Sequence, residues 1–251
     1  MFNNDADRKA AIKKLSVLEE YAGSYGLELS ERKREQLLLY YEMLIEKNKV
    51  MNLTAITEFN GVLFRHFLDS VFVCKAVEMQ NVTTMIDVGT GAGFPGIPVK
   101  IVFPHLKTVL LDSLNKRVSF LNEVIEKLNL AGTEAVHSRA EDAGRDKSFR
   151  EQYDLCTSRA VSRLSTLSEY CLPFVKKGGC FVSWKSDKSN EEIQEAEKAI
   201  YLLGGKIGKC TDYHFSDSKE DFYRTLVVIG KEKATPQKYP RKAGLPQKEP
   251  L

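Results

Sequence analysis

The run Met85-Ile86-Asp87-Val88-Gly89-Thr90-Gly91-Ala92-Gly93-Phe94-Pro95-Gly96 holds one carboxylate and glycines at alternating positions. An apolar run that enters such a loop and continues into a helical pattern predicts a ligand-binding turn, because a side chain would block the ligand's approach to backbone and resist positive φ. Gly91, Gly93 and Gly96 spell G-x-G-x-x-G, and Asp112 ends the next apolar run, where a carboxylate can accept from ribose hydroxyls. These features suit any cofactor with an adenosine. Asp87 separates the choices: a carboxylate two residues before the first glycine favours a cationic ligand, and Pro95 removes a backbone N–H that a diphosphate would use. The expected ligand is S-adenosylmethionine, a sulfonium with an ammonium, rather than NAD or FAD.

Methyl transfer from a sulfonium is an in-line displacement, so the protein's task is positioning and electrostatics. None of the eight prolines is adjacent to another, so the Asn/Asp-Pro-Pro-aromatic loop used on exocyclic amines is missing. Carbon-5 methylation needs a cysteine nucleophile, and Cys156 falls inside an apolar run that reads as core. A ring nitrogen such as guanine N7 needs no general base. There an arginine is useful, since its fork can bind guanine O6/N7 or a phosphate. Arg159, in Thr157-Ser158-Arg159-Ala160-Val161, is the candidate catalytic residue, with Arg163 and Lys185 as further RNA contacts. Each has a plainer reading, as a surface arginine at a helix start or a solvated strand end.

The elements around these residues form a pattern. Ser30 and Glu31 open a helical periodicity through Leu37, Tyr41, Leu44 and Ile45, and a second helix is expected from Gly61 to Met79. From Thr83 onward seven apolar runs alternate with helical segments: TMIDVG, KTVLLD, TEAVHS, YDLCTS, GCFVSW, GGKIGKC and FYRTLVVIG. Such alternation predicts a mostly parallel sheet covered on both faces, and the last two runs, with no long helix between them, predict an antiparallel hairpin. The expected organisation is a helical region over 1–80, a sheet domain over 81–231 and a basic tail over 232–251. The 251 residues carry +3; the segment from Lys231 onward has six Lys/Arg against two Glu, or +4, which leaves the rest at −1. A cationic tail punctuated by proline suits phosphate contact, with Arg241 and Lys242 as candidates, or else a solvated end without a core.

Five scattered cysteines without a C-x-x-C pair, and four dispersed histidines, give no metal motif. The polar N-terminus and the lack of a run of about 20 apolar residues predict a cytoplasmic chain without a membrane span.

Several motifs together carry a family resemblance. D-x-G-x-G-x-G resembles motif I of the Rossmann-like class I methyltransferases, and Arg139-Ala140-Glu141-Asp142 resembles the acidic step that reads adenine there. Asn52-Leu53-Thr54-Ala55-Ile56, Arg65-His66 with Asp69-Ser70, the FPG continuation, SRAV and Tyr239-Pro240-Arg241-Lys242-Ala243-Gly244 are more specific. With them the chain resembles the glucose-inhibited division protein B family of 16S ribosomal RNA guanine-N7 methyltransferases almost end to end. The resemblance implies an α/β, seven-stranded Rossmann-like fold with an N-terminal helical extension, and a substrate guanine in the decoding-region loop, on RNA or small ribosomal subunit particles. It implies Gly89, Phe94, Ala140, Glu141 and Arg159 as cofactor contacts supported by Asp87 and Asp112, with Gly91 and Gly93 completing the loop. Whether Arg159 serves cofactor or substrate stays open, and a helix-packing hydrogen bond explains His66 and Asp69 equally well. The competing readings are an RNA-binding assembly factor with an idle cofactor fold, and a methyltransferase for a non-RNA substrate.

Overall fold

The computed structural model describes residues 2, 4–159, 162–186, 190–216 and 221–251. The N-terminal part is helical: α1 (Asp5–Lys14), α2 (Val17–Ala22) and α3 (Glu31–Met51). Ser30 caps α3 by accepting from the Lys33 amide, and Asn52 ends it in the left-handed conformation. The second expected helix begins at α4 (Phe59–Val62) and ends beyond α5 (Asp69–Val71), but between them lies a π-helical turn, Leu63–Leu68. Such a bulge re-aims side chains, and this one carries Arg65 and His66.

All seven expected strands form: β1 (Thr84–Val88), β2 (Lys107–Asp112), β3 (Thr133–His137), β4 (Tyr153–Ser158), β5 (Val175–Ser186), β6 (Gly205–Ser216) and β7 (Asp221–Lys231). Their order is β3-β2-β1-β4-β5-β7-β6, with β7 antiparallel between β5 and β6 and every other pair parallel. The helices between them are α6 (Gly96–Val102), α7 (Asn115–Lys127), α8 (Ala140–Ala143), α9 (Leu164–Cys171) and α10 (Asn190–Leu202). β1 sends the chain to β2 on one side and has β4 on the other, so the loops after β1 and β4 meet where the order reverses. Ligands bind at that crevice in open α/β sheets.

Period-two alternation sorts the strand residues onto two cores. Ile86, Cys156, Phe181 and Ile229 stand side by side in register and face a core with Leu164, Ile200 and Tyr239. Met85, Leu110, Leu155 and Val182 face the opposite core, which also holds Leu15, Tyr40 and Phe67. The N-terminal helices are therefore one covering layer of the sheet and share its core. Cys156 is wholly buried, and burial holds its thiol well above the ordinary range, which disables it as a nucleophile.

The tail departs from the expected coreless end. It returns across the second core, burying Tyr239 and Pro246, and closes with a short helix, α11 (Leu245–Lys248). Among the described residues no helix is long and apolar enough to cross a membrane.

Candidate active site

The glycine loop is held from behind. Gly89, Gly91 and Gly93 all have positive φ. At Gly93 (φ 108°) a Cβ would lie 2.6 Å from Ile97 Cγ1 and 2.8 Å from the Tyr40 hydroxyl, so no other residue fits without displacement. That hydroxyl donates to the Ala92 carbonyl at 2.6 Å, and Phe94 packs against the Tyr40 ring. Asp87, expected as a ligand contact at the mouth of the loop, lies beneath it instead, fully buried. One oxygen accepts the Gly96 amide at 2.9 Å and the other the Thr157 hydroxyl at 3.0 Å. Burial pushes its carboxyl up to about 6, against the hydrogen bonds that hold it down. Asp87 can point inward because residue 96 is glycine: a Cβ there would lie 2.9 Å from its carboxylate, so the two residues close the strand-to-helix turn together.

A cavity of about 250 Å³ opens beside this loop. Gly89, Asp112, Ala140 and Glu141 line it, which brings together four of the expected cofactor residues from three separate loops. Asp112 is 3% exposed and accepts the Gly91 amide and the Leu114 amide, both at 2.9 Å, with Arg117 3.4 Å away. Glu141 is 6% exposed and accepts the Gly244 amide at 2.8 Å. A Cβ on Gly89 would meet nothing within 4 Å, so the backbone there borders open space. Two nearly buried carboxylates facing a cavity suit a cationic ligand. The Gly96 amide, which a diphosphate would need at the α6 start, is already donated to Asp87, and Pro95 has none. The donor set fits S-adenosylmethionine and not a dinucleotide.

A second, larger cleft of about 620 Å³ lies by the ends of β4 and β5, lined by Arg65, His66, Asp69, Arg159, Trp184 and Arg224 among others. Arg159 is its centre. One nitrogen of its fork donates to Asp69 Oδ2 at 2.8 Å and to the Arg65 carbonyl at 3.1 Å, the other to His66 Nδ1 at 3.2 Å, and the guanidinium sits 5.3 Å from the Phe94 ring centroid. Phe94 thus meets Arg159 and stacks on His66 at 4.5 Å. An arginine can only donate, and it is Arg159 that meets Nδ1 at 3.2 Å. His66 Nδ1 therefore accepts, and its Nε2 carries the proton, which it gives to the Thr54 hydroxyl at 2.8 Å. Burial and the neighbouring Arg159 pull the His66 pKa down to about 3, so the ring is neutral. Asp69 is buried, its other oxygen accepting from the Tyr213 hydroxyl at 2.6 Å and its carbonyl from Trp184 Nε1 at 2.9 Å.

The remaining expected RNA residues divide. Arg163 is exposed at the cleft rim. Lys185 lines the cleft, but its ammonium is committed to Glu192 at 2.6 Å and the Ser162 carbonyl at 2.8 Å, so it is a strut rather than a free cation. Arg241 is corrected outright: Nε and Nη2 close on the buried Glu169 with bonds of 2.7–3.1 Å, which ties the guanidinium into the fold instead of offering it to a phosphate. Lys242 is exposed. Ala160 and Val161, part of SRAV, lie outside the described residues. Thr54, Tyr213, Trp184 and Arg224 join the site without having been expected there. Thr54 has a signal in the Asn52–Ile56 motif; Tyr213 and Arg224 have none, because only the register of the β6–β7 hairpin brings them here.

Comparison with known proteins places the chain among methyltransferases. A family profile described as rRNA small subunit methyltransferase G, GidB, matches residues 33–218. The "Ribosomal RNA small subunit methyltransferase G" of Lachnoclostridium phytofermentans is 50% identical over 228 residues, 91% of this chain and 93% of its own. That of Acetivibrio thermocellus is 49% identical over 247 residues, 98% and 99% of the two chains. Among solved structures, an O-methyltransferase from Bacillus cereus in complex with SAH shares the fold with a TM-score of 0.53 and 16% identity, covering 87% of this chain and 99% of that one. The chain therefore belongs to the rRNA small subunit methyltransferase G (GidB) family of S-adenosylmethionine-dependent methyltransferases.

Proposed function

We propose that this chain methylates N7 of a guanine in the decoding-region loop of 16S ribosomal RNA, acting on small ribosomal subunit particles. The observation that carries the reading is the adjacency of two clefts of opposite character, one lined by buried Asp112 and Glu141, the other by arginines. The end of β4 and the start of α9 serve both: Ser158 and Ser162 border the first, Arg159 and Arg163 the second.

S-adenosylmethionine supplies a methyl carbon already activated by its sulfonium. The N7 lone pair forms the new bond to that carbon as the carbon–sulfur bond breaks and its electron pair stays on sulfur. No proton is removed, so the neutral His66 and the raised Asp87 are not needed as bases. The guanine ring becomes cationic as it reacts, and the charges around it fit that change. Asp69 balances Arg159, and His66 stays uncharged, so the guanidinium can orient the base or a phosphate without a second cation opposing the product. Arg65, over the Phe222 ring at 4.1 Å, with Arg163 and Arg224, gives the cleft the positive surface that RNA phosphates need. A further groove of about 540 Å³ between α1 and residues 55–61 shares Ile56 and Arg65 with the cleft.

The test is to incubate subunits from cells lacking this protein with the purified chain and labelled S-adenosylmethionine, then cleave the rRNA with borohydride and aniline. A single new scission at a guanine is expected. Labelled rRNA without new scission sites would remove N7 as the acceptor. No label in rRNA, with tight subunit binding, would instead make the chain an assembly factor.

A further inference from the structure

The tail does more than fold back. Gly244 and Gln247 line the same cavity as Gly89, Asp112 and Glu141. They are fixed there by bonds to elements that also build the cavity. The Gly244 amide donates to Glu141, the residue expected to serve adenosine, and the Thr166 hydroxyl on α9 donates to the Pro246 carbonyl at 3.2 Å. α9 also supplies Leu167 and Tyr170 to the cavity and Glu169 to the Arg241 fork. Upstream, Arg150 donates to the carbonyls of Thr235 and Tyr239, and Arg145 to that of Pro240. Gly244 has φ 81°, which turns the chain into α11 and sets Pro246 inward, buried, and Gln247 at the cavity. The Gln247 side-chain amide makes no hydrogen bond among the described residues, although Gly244 and Pro246 beside it are both anchored.

We infer that the turn 244–247 is part of the cofactor site, with Gln247 a binding residue for the adenosine portion of S-adenosylmethionine and S-adenosylhomocysteine. A side-chain amide carries donor and acceptor together and matches the paired donor and acceptor on an adenine edge, as it does when glutamine reads adenine in nucleic acids. The C-terminal segment thereby serves the methyl donor. Docking of the tail and retention of the cofactor are linked through Glu141, whose carboxylate both faces the cavity and holds the Gly244 amide. This inference rests on S-adenosylmethionine as cofactor and is independent of which nucleotide is methylated.

The experiment is calorimetric titration of the full chain with S-adenosylhomocysteine, without RNA. Gln247→Ala is expected to weaken binding about 5–10-fold with an unchanged melting temperature, while Lys248→Ala, one residue away and outside the cavity, binds as wild type. Hydrogen exchange provides a second readout that needs no variant: S-adenosylhomocysteine should protect the amides of Gly244, Leu245 and Gln247 to Glu249. Equal affinity for Gln247→Ala and wild type, or no added protection of the tail, would overturn the inference and leave the methyltransferase reading intact. No binding by the wild-type chain would remove both.

Discussion

Two arginines, Arg159 and Arg241, each meet a buried carboxylate, yet the two regions use the pair differently. Arg241 sets Nε and Nη2 against Glu169, adds a bond from its own amide and donates again to the Glu249 carbonyl. Arg159 gives Asp69 a single nitrogen that also meets a backbone carbonyl, turns the other toward a neutral histidine, and lines an open cleft. Similar exposure of the two side chains, 18% and 20%, hides this contrast. A bidentate pair fixes one segment to another. A distributed pair on three elements leaves a charged face that can meet a ligand without the full desolvation cost of a free cation.

The largest test of that contrast is Arg159→Ala. Methyl transfer should fall roughly 100- to 1000-fold, the loss typical of removing one charged group that orients a reacting centre. Melting should change less than for Arg241→Ala, because Asp69 keeps the Tyr213 hydroxyl and has Arg224 within 4.0 Å. Undiminished rRNA methylation would end the assignment. Arg241→Ala should do the opposite. It strands Glu169, whose side chain is 1% exposed, and should cost about 3 kcal/mol, a fall of roughly 6–12 °C in Tm. The salt dependence of RNA binding should stay as in wild type, since no phosphate contact is lost; a shallower slope would return Arg241 to the RNA surface.

The same contrast explains what the sequence could and could not convey. Strand existence and order of elements are legible, because short apolar runs such as TMIDVG and FYRTLVVIG, alternating with helical segments, suit strands buried on both faces. The glycine loop and Asp112 are legible too, since their spacing puts them at strand ends, whereas Glu141 is legible only through the family resemblance. For Asp87 the residue is legible and its direction is not: a carboxylate before the glycines reads the same whether it turns toward a ligand or beneath the loop, and only the Gly96 amide decides. Arg241 misleads for a related reason. Its local composition is that of a solvated basic tail, and its partner Glu169 lies 72 residues earlier in chain order. Nothing local to Tyr213 marks it as the support of Asp69.

Asp87 sharpens the comparison as a buried carboxylate whose hydrogen-bond donors are all neutral. Burial raises it from 3.8 to about 6, so the folded chain keeps a proton where the unfolded chain has released it. The associated stability is complete below pH 3.8 and lost as pH rises through about 6, an amplitude on the order of 3 kcal/mol. Asp87→Asn has no proton to lose. Relative to wild type, its Tm should therefore rise between about pH 4 and 6 and stay level above about 7. A difference that is flat across the whole range would mean that burial does not raise the Asp87 pKa, and one that falls as pH rises toward 4 would mean that Asp87 is paired with a cation.

The smallest expected effect is that of Tyr213→Phe. It removes only the hydroxyl that donates to Asp69 Oδ1, while the ring keeps its edge-on packing against Phe72 at 4.6 Å. Losing one hydrogen bond to a buried charged group costs about 1.5 kcal/mol, close to tenfold. If Asp69 serves to aim Arg159, that loss should appear in kcat for rRNA methylation, with S-adenosylhomocysteine affinity unchanged, because the cofactor cavity contains neither residue. If Asp69 were a structural anchor like Glu169, the same substitution would lower Tm and leave kcat alone. The split between kcat and Tm thus decides whether the distributed arginine pair is part of the chemistry or a second clamp.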